Sequence, residues 1–177
     1  MKNDVTPMRR TSLAMALCLM IAGAMAQIVP NGKPYRWNAT QNPIITHKHT
    51  ADPAAMVKGD MLYLYTGVDF AGNQSGYKMH EWALFTTTDM RTWTEHPSPL
   101  HVDEFKWQDS HAAYAGHVAE KDGKYYFYFP HPSLSRWNDS WLIGVAVSDR
   151  PDGGFKNVGT IPGLGGFAMI DPCVFTD

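Results

Sequence analysis

Apolar and polar residues alternate in short runs along most of the chain, and Gly, Asp, Asn and Pro punctuate the runs. The clearest case is residues 50–67, TADPAAMVKGDMLYLYTG. Ala54 to Val57 reads as a short apolar strand, Gly59-Asp60 as a two-residue turn, and Met61 to Tyr65 as the returning strand. A Gly-Asp or Asp-Gly pair between such runs predicts a tight antiparallel hairpin. The pattern recurs in residues 116–129, GHVAEKDGKYYFYF, where Asp122-Gly123 makes the turn and Lys124 to Phe129 the outgoing strand. It begins a third time at Asp171, in DPCVFTD. In register, Asp52, Gly116 and Asp171 occupy equivalent places, roughly 60 residues apart.

A second family of segments has a similar period. Trp82 to Trp93 matches Ile143 to Phe155, with Asp89 and Asp149 aligned. Repeats of this length, built from short strands, predict β-propeller blades of about four strands, one hairpin near the axis and another further out. Trp82 to Thr88 is expected to be a buried strand, Asp89-Met90-Arg91 its turn, and Trp93 a residue packed between blades. Gly159 to Gly166 reads as a flexible lead-in to the third inner strand.

Composition narrows the function classes. Hydrophobic residues make up 44% and charged residues 18% of the 177 positions, which predicts a packed core rather than disorder. A net charge of −2 without a basic patch argues against nucleic acid and anionic membrane as partners. Residues 1–26 read as a secretory signal peptide: Arg9 and Arg10 precede the apolar run Leu13 to Ile21, and Ala24-Met25-Ala26 fits the cleavage rule. Residues 27–42, rich in Asn, Gly and Pro, read as a linker. Cleavage removes Cys18 and leaves Cys173 alone, so no intrachain disulfide is expected. Export without disulfides suits a secreted or periplasmic bacterial protein with no membrane contact after cleavage.

The ordered set ADP (51–53), GKYYFYF (123–129), IGVAVSD (143–149) and IDPCVF (170–175) resembles glycoside hydrolase family 43. The resemblance covers nearly all of the chain after about residue 38. It implies an all-β fold, a five-bladed β-propeller of which this chain supplies about two and a half blades over residues 43–177. It also implies inverting hydrolysis of arabinose- and xylose-containing plant polysaccharides. Asp52 matches the general base and Asp171 the carboxylate that tunes and orients the acid. The acid itself, a Glu on the following blade, is expected beyond residue 177, so the chain alone is expected to be nearly inactive. No cofactor is required; a structural calcium ion near the axis is compatible with the family.

Read from the residues themselves, Asp52 is also a good turn former, because Asp-Pro starts turns. Its small apolar neighbours are a setting in which an unpartnered carboxylate is costly. Tyr114, His117 and Trp107 lie in the irregular stretch 101–117 and are candidates for holding sugar, through an aromatic face and polar tips. Core packing explains Tyr114 equally well, and a hydrogen-bonded histidine near the axis explains His117 equally well. His47 and His49, two apart, would share a face on a strand, but no third metal ligand lies nearby, and no metal site is assigned. A non-catalytic sugar-binding propeller, a fructan-acting relative and a structural propeller remain as alternatives. The fructan signature Asn-Asp-Pro-Asn is not matched, since Ala51 precedes the Asp and Ala54 follows the Pro.

Overall fold

Two-residue alternation builds a sheet that is buried on both faces. Along β4 (Met79–Thr87), Trp82 and Leu84 point to one side and Ala83 and Phe85 to the other, and none exceeds 2% exposure. The computed structural model describes residues 33–70, 79–104, 114–132 and 141–175. Around β4, the strands β2 (Thr50–Lys58), β3 (Met61–Asp69) and β5 (Thr92–His101) form an antiparallel meander. A short strand, β1 (Tyr35–Asn38), pairs with β5 and gives the order β1-β5-β4-β3-β2. Part of the stretch read from composition as linker is therefore a fifth, outermost strand. The second sheet is a plain meander of β6 (His117–Lys121), β7 (Lys124–Pro132), β8 (Trp141–Ser148) and β9 (Lys156–Gly166). A single 3-10 turn, Val102–Glu104, follows β5.

Both expected hairpins form, with different turn chemistry. Lys58 pairs with Met61 across Gly59 at φ +58°, while Lys121 pairs with Lys124 across Asp122 at +53° and Gly123 at +75°. Positive φ at the first or at both central residues matches the right-handed twist of the flanking strands.

The core fills the space between the sheets. Tyr65, Trp82 and Leu84 of the first meet Val118, Phe127 and Phe129 of the second. Phe127 stands edge-on to Tyr65 at 5.8 Å and to Trp82 at 5.3 Å between ring centroids. Burying each of these large side chains contributes about 1.5–3 kcal/mol. The Tyr65 hydroxyl donates to the Pro151 carbonyl at 2.7 Å, fastening the first sheet to the β8–β9 turn. Lys58 at the end of β2 meets Glu120 near the end of β6 at 3.0 Å. The two inner strands thus run side by side in the same direction, as they do in successive propeller blades. The chain forms two blades and the entry to a third.

Two expectations change. Trp93, 1% exposed, does not lie between the two sheets; it packs with Phe85, Ile45 and Trp37 on the face of the first sheet turned away from the second. Strand parity decides this, because Trp93 shares its side of the sheet with Phe85 rather than Leu84. Residues 39–45 lie across that face, held by the Trp37 indole N–H donating to the Ile44 carbonyl at 2.9 Å. Gly159 to Gly166 is not a loose lead-in but the second half of β9, pairing Gly165 with Leu142 and Gly166 with Trp141. A Cβ on Gly165 would sit 2.7 Å from Leu142 Cδ2, so close strand approach accounts for this glycine.

Candidate active site

The path of the chain decides which residues share an end of the molecule. β2 and β6 start at one end, and β3, β5, β7 and β9 return to it. Asp52, Tyr114, His117 and Asp171 therefore all stand at that end, while the turns at Gly59, Met90, Asp122 and Gly153 stand at the other. Trp107 lies outside the described residues.

Asp52 and Asp171 share an uncommon backbone. Ala51 pairs with Gly67 and Ala54 with Tyr65, so Asp52 and Pro53 together oppose Thr66, a β-bulge. Asp52 takes φ +52° and Asp171 φ +55°. Only Met90, Asp122 and Ala168 join them in the left-handed region among the described non-glycine residues. A following proline favours extended backbone, so both positions run against their local preference. Such geometry costs on the order of 1–3 kcal/mol and concentrates at functional sites.

Both carboxylates are exposed, and neither receives a hydrogen bond or ion pair from the described residues. The expected penalty on an unpartnered Asp52 does not arise, because the bulge lifts the side chain out of the strand's alternation into water. Gly116, the aligned position of the second blade, has no room for a carboxylate. A Cβ there would lie 2.4 Å from Phe127 Cε1 and 3.1 Å from both Trp82 Nε1 and the Tyr128 carbonyl oxygen. The aligned position is a space requirement in the second repeat and an acidic group in the first and third.

Tyr114 is half-buried. Its carbonyl accepts the Trp82 indole N–H at 2.9 Å, and its ring meets Trp141 edge-on at 4.8 Å. With Trp141, Phe167, Ala168 and Ile170 it lines a cavity of about 130 Å³, beside Asp171 in sequence. Sequence reasoning missed Trp141 and Phe167; the signal available was a large aromatic at each edge of a turn-rich connection. His117 opens β6 opposite Tyr128, and burial pushes its pKa below the ordinary histidine value. It is thus a neutral donor and acceptor at pH 7.

Other titratable residues do structural work. His47 and His49 are not on a strand. His47 Nε2 lies 2.7 Å from Glu95 Oε2, Lys48 pairs with the other Glu95 oxygen, and His49 is exposed. Glu95 is 1% exposed and anchors residues 47–48 to β5. The Glu residues at the Asp52 end, Glu81 and Glu104, lie on β4 and the 3-10 turn. Glu120 is on inner strand β6 but near its far end, against Lys58. Calcium takes six to eight oxygen ligands. Among the described residues no three His, Cys, Asp or Glu side chains are placed together to hold a metal ion.

A cavity of about 410 Å³ includes Ala51 and Pro53 but is otherwise walled by residues such as Ile45, Leu62, Leu64 and Trp93. Sugar sites need several convergent polar groups. This cavity is a mostly apolar surface with few polar groups. No helix among the described residues is long and apolar enough to cross a membrane.

Comparison with known proteins bears on the same residues. The sequence profile of glycosyl hydrolases family 43 matches residues 40–177. Xylosidase/arabinosidase 43A of Humicola insolens is 37% identical over 144 residues, covering 76% of this chain and 42% of that protein. A xylosidase/arabinosidase of Bacteroides ovatus is 32% identical over 142 residues, with the same coverage of 76% and 42%. Among solved structures, a family 43 β-xylosidase/α-arabinofuranosidase from a compost microbial metagenome superposes with a TM-score of 0.67 at 32% identity. That match covers 81% of this chain and 44% of the enzyme, which was solved with xylotriose in a calcium-free form. The chain spans less than half the length of these relatives. Two blades in family order, with the family's profile running from residue 40 to residue 177, place this chain in glycosyl hydrolase family 43.

Proposed function

We propose that this chain carries the base half of an inverting glycosidase site acting on xylose- or arabinose-containing polysaccharide. The observation that supports it most is the matched pair Asp52 and Asp171. Both are left-handed, both precede proline, both lie at the same end of the strands, and both are free of partners among the described residues. A carboxylate without competing hydrogen bonds is available to a water molecule. Asp52 would hold that water and take its proton as the oxygen attacks the anomeric carbon. A carboxylic acid about 6.5–9.5 Å away would protonate the departing oxygen. Asp171 would stand near that acid, where its negative charge raises the acid's pKa and keeps it protonated near neutral pH.

No described Glu starts an inner strand, so the acid in this reading is a Glu outside residues 1–177. The chain alone would then turn over poorly, and a non-catalytic sugar-binding role is the competing reading for it. Tyr114, Trp141 and neutral His117 would wall the terminal sugar, with Trp107 as a further candidate from the sequence. Residues 1–26 would direct export, leaving Gln27 as the mature N-terminus. The test is hydrolysis of nitrophenyl xyloside and arabinofuranoside. In a protein that contains the acid, Asp52→Asn should lower kcat by several orders of magnitude with an unchanged unfolding temperature. Near-normal kcat in that variant removes Asp52 from the base role.

A further inference from the structure

The bulge that carries Asp52 lies against a buried threonine. Ala51 pairs with Gly67 and Ala54 with Tyr65, which leaves Asp52 and Pro53 together opposite Thr66. Asp52 and Pro53 are exposed, whereas Thr66 is 3% exposed. Thr66 alternates along β3 with Leu62 and Leu64, and all three line the cavity of about 410 Å³ that also includes Thr50, Ala51 and Pro53. The Thr66 hydroxyl oxygen has no hydrogen-bond partner, and no other buried side-chain oxygen or nitrogen among the described residues is left so.

Valine has nearly the shape of threonine and suits an apolar wall better, because a buried hydroxyl without a partner forfeits its bonds to water and lowers stability. The bulge offers that hydroxyl something to meet. Asp52, Pro53 and Thr66 bring three backbone carbonyls but, since proline has no N–H, only two backbone donors. The bulge is short of a donor, and a threonine hydroxyl is one. The structure shows no direct bond from Thr66 Oγ1, so the link runs through a water. The cavity has ample room for one, and buried waters make about three hydrogen bonds. Thr66, a bulge carbonyl and Thr50 on the same wall supply that number. Left-handed backbone before a proline persists only where its surroundings hold it. Asp52, at φ +52°, makes no side-chain contact among the described residues that could do so. The backbone must be held from the Thr66 side.

We propose that Thr66 is a positioning residue for Asp52: its hydroxyl, bridged by one ordered water to the bulge backbone, holds the left-handed residue from which the carboxylate projects. Its bearing on catalysis rests on the glycosidase reading of Asp52; the contact itself does not. Amide hydrogen exchange of the full chain, followed by NMR, tests the contact in Thr66→Val and Thr66→Ser. Thr66→Ala, which also lacks the hydroxyl, replaces the valine variant if that one fails to fold. In Thr66→Val the amides of Ala51, Ala54 and Gly67, which flank the bulge, should exchange about tenfold faster. Those of Val118 and Phe127 in the second sheet should keep their wild-type rates. The unfolding temperature should fall by about 2–4 °C, and Thr66→Ser, which keeps the hydroxyl, should restore both readouts. A raised unfolding temperature in Thr66→Val shows an unmet hydroxyl and overturns the proposal. So do unchanged rates beside the bulge, equal acceleration in both sheets, or a serine variant that behaves like valine. In a protein that contains the acid, Thr66→Val should lower kcat about tenfold to a hundredfold with KM unchanged. Normal kcat there overturns the positioning role. Near-normal kcat in Asp52→Asn overturns the base reading instead, while the exchange pattern still decides whether Thr66 holds the bulge.

Discussion

Gly116→Ala isolates the reason one repeat of the pattern lacks its acid. The added Cβ would sit 2.4 Å from Phe127 Cε1 and 3.1 Å from both Trp82 Nε1 and the Tyr128 carbonyl oxygen. Phe127 is fully buried and Trp82 is 1% exposed, so neither ring has free space to retreat into. Overpacking of this kind costs typically 1–3 kcal/mol. At about 2–4 °C per kcal/mol for a chain of this size, the unfolding temperature should fall by about 2–12 °C. The displaced indole should also weaken its 2.9 Å bond to the Tyr114 carbonyl and perturb the near-ultraviolet circular dichroism of the aromatic core. Gly123→Ala is the control: φ is +75° and nothing lies within 4 Å, so only backbone strain of about 1–2 kcal/mol is expected, without the aromatic signature. A double-mutant cycle with Phe127→Leu completes the assay. Shrinking the ring should relieve the clash, giving a coupling of at least about 0.5 kcal/mol. Wild-type stability in Gly116→Ala, or strict additivity with Phe127→Leu, would show that crowding is not what excludes a carboxylate there.

Two further outcomes follow from the polar anchors. Asp89 has its carboxyl pKa held down to about 2 by the backbone N–H groups of Thr92 and Arg91. Because the folded value lies below the unfolded 3.8, the stabilisation is present above about pH 4 and is lost as pH falls toward 2. The gap in unfolding temperature between wild type and Asp89→Asn should therefore close across that interval; a gap constant with pH contradicts the turn assignment. Glu95→Ala strips the buried partner from His47 and Lys48 and should cost about 3–5 kcal/mol in urea unfolding. Lys48→Ala should cost much less, since that side chain is 24% exposed and its loss leaves His47 in place; equal costs would mean the ammonium carries the network.

The hairpins, the blade repeat and the family were legible in the chain because each depends on local order. Turn pairs at Gly59-Asp60 and Asp122-Gly123 set φ, two-residue alternation sets the buried faces, and short motifs recur at a fixed period. Asp52 and Asp171 stood out by the same local logic, a carboxylate before proline at the head of an apolar strand. Tertiary structure decided what depends on distant neighbours. It put Trp93 beneath the 39–45 segment instead of against the second sheet, drew Gly159–Gly166 into β9 beside Leu142, and buried Glu95 under His47 and Lys48. It also made Asp52 an exposed bulge residue where its apolar neighbours suggested burial, because pairing with β3 leaves two residues opposite Thr66. Alternation along a strand tells which residues share a face, but only the packed partner on that face determines whether it meets water, a ring or a charge.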